Sequence, residues 1–239
     1  MNEVTIKIPD NLSEITIGQY LQYKQFLDSQ GKEDPNSLAI KTVEIFCNIS
    51  LGLAEAMSWS DVEDINEKIV GLFEHHDDTF QDRIKINGVE YGFIPNLEAI
   101  SWGELIDLDD LIGQEDKLHE AMAVLYRPLV QKKFIKGLYE NLKGKLWNTE
   151  ENWKGATLYQ IEKYYTSDKY SEEMKDMPLS VALGALGFIS HLGDELLRSV
   201  LTSTKKEDQS PEVSRLVQML EESGVGTFSF ASSLKITSY

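Results

Sequence analysis

Glu104, Asp107, Asp109 and Asp110 form the densest carboxylate group of this sequence within a stretch of helical spacing. Paired carboxylates perform acid and base chemistry when their surroundings separate their pKa values. Glu104 and Asp107 share a helix face at i and i+3, yet no glycine loop and no basic residue lies near them in sequence. The macrodipole alone favours acids near a helix start. The group therefore reads as a solvated acidic face, with Asp107 and Asp110 as candidate contacts for a partner.

The run Glu74-His75-His76-Asp77-Asp78 holds side chains that suit a divalent metal. Consecutive helical residues point about 100 degrees apart, so they cannot grip one ion together. The sequence has no HExxH, paired CxxC, GxxxxGK[ST] or GxGxxG motif, and neither Ser180 nor Ser190 sits in a nucleophile elbow. His119 and His191 lie among apolar neighbours and read as hydrogen-bonded interior or boundary residues. No catalytic residue, metal or cofactor is expected.

From Arg127 to Lys154 the charge reverses. Seven cations, including Lys132, Lys133 and Lys136, stand against three carboxylates, a net +4 that leaves −21 on the rest of a chain of −17. Phe134, Tyr139, Trp147 and Trp153 are interleaved, a combination that can neutralise phosphates and stack bases. The acidic remainder repels nucleic acid and anionic membranes. The segment therefore reads either as aromatics turned to the core with lysines in water, or as a protein contact through Lys132, Lys133, Lys136, Trp147 and Trp153. The last stretch, Gly226 to Tyr239, carries Phe228, Phe230, Leu234 and Ile236 and suits a strand or a docking tail.

The elements that must position these groups are mostly helical. Val4 to Ile8 alternate as a short strand. Thr16 and Gln19 make a capping box for a helix with Tyr20, Leu21, Tyr23, Phe26 and Leu27, and Leu38 to Phe46 form an apolar second helix. A third starts at Ser60 with Glu63 and presents Val62, Ile65, Ile69, Leu72 and Phe73. Between Arg83 and Phe93 the period changes to 2 about Asn87-Gly88, which predicts a type I′ hairpin. Further helices are expected at 118–129 and, as a polar stretch, at 158–165. Pro178 opens a long helix to about Ser203, residues 202–212 are a loop, and Ser210-Pro211 starts a last helix. The fold class is α+β, mostly α, in a single domain with a helical C-terminal part over 156–239.

Residues 11–27, NLSEITIGQYLQYKQFL, resemble residues 96–112, NLEAISWGELIDLDDLI, at an offset of 85. Both follow an Ile-Lys-Ile sequence and both precede an apolar helix, so two strand-helix-helix units over 4–49 and 84–129 are expected to pack about a small sheet. They occur only twice, which is pseudo-symmetry rather than a solenoid.

The first ten residues have no basic region followed by an apolar core, so no signal peptide is expected. The uncharged stretch from Met177 to Gly193 is shorter than the about 20 residues that a span requires. With one cysteine, Cys47, a cytosolic setting without membrane contact is expected.

The order of the IKIPD strand, the helix at 15–27, the Asn87-Gly88 hairpin, HEAMAVLYRPL at 119–129 and MPLSVALGALGFI at 177–189 resembles small acidic proteins encoded among the structural genes of tailed bacteriophages. These include tail-assembly chaperone-like and baseplate-hub-like proteins. The resemblance implies binding to other virion or assembly proteins in the host cytosol or the virion, without catalysis. The competing class is a cytosolic adaptor or regulatory module that binds a host protein by the same physics.

Overall fold

The computed structural model describes residues 5–29, 35–74, 79–94, 100–132 and 159–204. The protein is α+β, mostly α, with one four-stranded antiparallel sheet. Four helices come first: α1 (Ile17–Ser29), α2 (Pro35–Phe46), α3 (Leu51–Glu55) and α4 (Trp59–Glu74). The hairpin β1 (Arg83–Ile86) and β2 (Val89–Phe93) is followed by α5 (Trp102–Leu111), α6 (Leu118–Leu125) and β3 (Tyr126–Lys132). Then come β4 (Tyr159–Ile161), α7 (Ser171–Met174) and α8 (Leu179–Thr204).

The hairpin forms as its turn residues require. Asn87 and Gly88 take φ of 49 and 87 degrees, and Ile86 pairs with Val89. The sheet runs β1-β2-β3-β4, with Gly92 of β2 opposite Arg127 of β3. Gly92 has a packing role. A Cβ there would stand 2.5 Å from the Tyr159 ring and 2.7 Å from Leu129, so only glycine lets β4 close over β2. The Tyr159 hydroxyl lies 2.9 Å from the Phe93 carbonyl oxygen, which locks that closure.

One core joins helices and sheet. Tyr23, Phe46 and Phe73 stack beneath α1, α2 and α4, and Phe80, Phe93, Tyr126 and Phe188 form a second aromatic group between sheet and α8. Met122, Leu125, Met174, Met177 and Leu179 are fully buried between them. Among the described residues, no helix is long and apolar enough to cross a membrane.

Several expectations need correction. Residues 5–9 form no strand, because no described strand lies beside them to take their backbone groups; Ile6 and Ile8 pack against the core in irregular backbone. The helix expected over 118–129 stops at Leu125 and continues as β3. Tyr126 is already extended where it pairs with Phe93, and Pro128 keeps the chain so, because the residue before a proline, Arg127, is pushed out of the helical region. The polar helix expected over 158–165 is strand β4 followed by irregular chain, because Ile161 pairs with Leu129 and Tyr159 with Lys132. Helix α4 is capped by Ser58, two residues before the expected start, and its hydroxyl accepts from Asp61 N at 3.2 Å. The first unit of the expected repeat, 4–49, has no strand among its described residues. The end of the 202–212 loop, the last helix and the 226–239 tail lie outside the described residues.

Candidate functional site

Helix α5 starts at a capping box. The Ser101 hydroxyl accepts from Glu104 N at 3.3 Å, and Ser101 N donates to Glu104 Oε2 at 2.6 Å. The other carboxylate oxygen faces Arg127 Nη2 at 2.5 Å, and both side chains are only 7 % accessible. The Tyr164 ring lies 5.6 Å from the guanidinium carbon, and its hydroxyl donates to Asp107. A short chain of interactions therefore runs from the helix cap through a buried ion pair to a half-buried carboxylate.

The electrostatics follow from this packing. Burial by itself raises the Glu104 carboxyl, but the two Ser101 hydrogen bonds and the Arg127 charge outweigh it and hold the group below its ordinary 4.5. Burial, then the neighbouring Asp107 carboxylate, push the Tyr164 hydroxyl well up, so it stays a proton donor. Arg127 Nε has no hydrogen-bond partner among the described residues. Such a pair fixes geometry more than it adds stability.

Opposite this buried side, α5 presents a second apolar face. Trp102 is 75 % exposed, Leu105 45 % and Ile106 50 %, at i, i+3 and i+4. Asp109 and Asp110 are exposed on the same side and its margin, and α5 contains no lysine or arginine. A surface helix ordinarily keeps one apolar stripe and turns polar residues outward. Here the core stripe of Leu108 and Leu111 has an apolar counterpart in water.

The sequence-derived contacts separate accordingly. Asp107 is half-buried and engaged by Tyr164, so it supports the site from beneath; Asp110 is exposed at the margin of the apolar face, with its carbonyl taken by Gln114. The Lys132 backbone ends β3 opposite Tyr159. Lys133, Lys136, Trp147, Trp153, Phe228 and Phe230 lie outside the described residues, as do His75 and His76. Two readings change. Glu104 is not part of a solvated face, because it is buried against Arg127 of β3, 23 positions downstream. Arg127 is not part of a basic surface, because it is spent on Glu104.

Trp102, Leu105 and Ile106 were not singled out from sequence, although WGELIDLDDL carries the signal: its apolar residues go all the way round a helix. Tyr164 gave no comparable signal. Elsewhere, His119 lines a groove with Gln19, Gln22, Lys24 and Lys175. Burial first, then the Lys175 charge, lower its pKa, and its Nδ1 has no hydrogen-bond partner among the described residues. Among the described residues, no three His, Cys, Asp or Glu side chains cluster to hold a metal. No family model, curated protein or solved structure matches this chain.

Proposed function

We propose that this chain is a non-enzymatic protein of a tailed bacteriophage, either a tail, neck or baseplate component or a tail-assembly chaperone, that works by contact with other assembly proteins in the host cytosol. The observation that carries the reading is the outer face of α5, where Trp102, Leu105 and Ile106 stand in water on a helix already anchored by its opposite side. Exposed apolar residues gathered on one rigid element are the usual mark of a protein contact. The buried Glu104–Arg127 pair supports the same reading, since it fixes the helix so that the face is presented in one orientation. The resemblance of the element order to phage structural-gene products supplies the biological setting.

The experiment is fractionation of phage-infected cells, with the chain tracked through assembly intermediates and finished particles. A permanent component appears in particles at fixed stoichiometry, and a chaperone appears with intermediates only. In both cases Leu105→Asp with Ile106→Asp lowers the yield of infectious particles while the protein stays folded. Absence from both fractions, with unchanged yield for the double variant, overturns the reading.

A further inference from the structure

Helices α1 and α5 correspond position for position at an offset of 85. Thr16 matches Ser101, Ile17 matches Trp102, Gly18 matches Gly103, Gln19 matches Glu104, and Tyr20 and Leu21 match Leu105 and Ile106. Both carry a formed capping box. Their outward positions nevertheless meet different fates. Ile17 is 0 % exposed and Tyr20 3 %, and Leu21 packs partly buried against the core.

Along the first turn of α1 runs the segment Lys175–Leu179, while farther on Tyr20 meets Phe73 of α4 and Tyr23 meets Phe46 of α2. Ile17 N donates to the Met177 carbonyl at 3.0 Å and Gly18 N to the Lys175 carbonyl at 2.8 Å. Leu179 N returns a bond to the Ile15 carbonyl at 2.8 Å, and Thr16 pairs with Pro178 as an antiparallel bridge. The approach is so close that a Cβ on Gly18 would stand 3.1 Å from the Lys175 oxygen. The cover is thus an extended stretch with apolar Met177 and Leu179, which then turns into α8. At α5 the matching glycine meets only the Tyr164 ring, 3.7 Å from a Cβ, and the three apolar side chains remain in water.

We propose that the outer face of α5 is the docking site for a basic, apolar segment of a partner protein, which lies over Trp102, Leu105 and Ile106 starting from the first turn of the helix, where Lys175–Leu179 lies on α1. This rests on the reading of the chain as a protein-docking molecule and narrows the partner. Charge decides its class. Asp109 and Asp110 border the face, and α5 offers no cation of its own. A segment with lysine or arginine beside its apolar residues meets these carboxylates favourably and excludes acidic competitors. A second copy of this chain brings −17 and another acidic α5 beside its +4 stretch at 127–154, and self-association is therefore one of the outcomes the test separates.

The test uses the full-length chain and two synthetic peptides of residues 175–186, one with Asp176→Lys and one with Lys175→Glu. Titration is followed by the amide resonances of α5. The basic peptide is expected to bind about tenfold more tightly than the acidic one. Its affinity falls with added salt. Binding is lost in Leu105→Asp with Ile106→Asp, whose unchanged α1 resonances report an intact fold. Equal binding of the two peptides overturns the basic partner and leaves protein docking standing. Failure of both, or binding that survives the double substitution, overturns this site; the docking function itself then rests on the particle experiment. Concentration-dependent self-association through α5 in place of peptide binding also overturns the proposal.

Discussion

In α1 the Gln19 side chain of the capping box reaches across to the end of α2 and donates to the Ile45 carbonyl at 2.8 Å. In α5 the matching side chain, Glu104, reaches past the end of α6 to the Arg127 guanidinium at 2.5 Å. The local solution is the same, a side chain three residues into the helix that serves the cap and then ties the helix to its neighbour. An amide can satisfy a carbonyl, whereas a buried carboxylate requires a cation. The second difference concerns orientation. At 100 degrees per residue, the side bearing Ile17, Tyr20 and Tyr23 is turned roughly a quarter turn from the side bearing Glu104, Leu108 and Leu111. Helix α1 therefore buries what α5 leaves outside. Similar sequences do not fix which face is buried; the segments that reach each helix do.

The sharpest way to break this comparison is to place one charge at matching positions. Tyr20→Asp costs more than about 4 kcal/mol, since it removes a buried ring and leaves a charge in the core. Leu105→Asp changes stability by less than about 0.5 kcal/mol, because that position is exposed. Urea unfolding of the two variants measures the contrast, and equal losses would mean that α5 is covered as α1 is. The ties come next. Arg127→Met alone leaves Glu104 buried without its cation and costs about 3 kcal/mol, and adding Glu104→Leu recovers most of it. Gln19→Ala breaks only a neutral hydrogen bond and one cap, for about 1 kcal/mol. Thermal melts of the four proteins give both numbers.

The two glycines sharpen the point at smaller scale. Gly103→Ala gains about 0.5–1 kcal/mol of helix stability, because its methyl group meets the Tyr164 ring at ordinary contact distance. Gly18→Ala falls short of that gain, because the Lys175 carbonyl must first shift. The smallest effect is acid sensitivity. With its folded-state pKa held below 4.5, Glu104 contributes stability that is complete above pH of about 4.5 and fades as pH falls further through the folded value. The same sequence position in α1 carries Gln19, which does not titrate. Comparison of urea midpoints on the acid limb for the native chain and the Glu104→Leu, Arg127→Met double variant isolates this part, and identical limbs would remove it.

What could be read from the sequence was local. The capping box at Thr16–Gln19 and the Asn87-Gly88 turn depend on residues within a few positions of one another, and the folded chain has both, whereas the start expected at Ser60–Glu63 moved to Ser58–Asp61. The rest of the sheet depends on pairings such as Tyr91 with Pro128 and Leu129 with Ile161, across 30 or more positions, which leave no periodic trace in so short a strand. Pro128 was visible, and its effect on Arg127 would have ended α6 at the right place. Arg127 was counted as one of seven cations because composition cannot say which charge a fold will bury. The docking face was missed for a related reason: Trp102, Leu105 and Ile106 look like core residues in sequence. Only the packing of α2, α4 and Lys175–Leu179 about α1, and their distance in sequence from it, shows which apolar helix face was left open.

The most direct measurement is amide hydrogen exchange on the full-length chain with and without the 175–186 peptide carrying Asp176→Lys. The account predicts added protection over 102–110 and none over 17–29, where Lys175–Leu179 at the first turn and α2 and α4 beyond it already close the apolar face. Unchanged exchange over 102–110, or protection shared equally by the two helices, would contradict it.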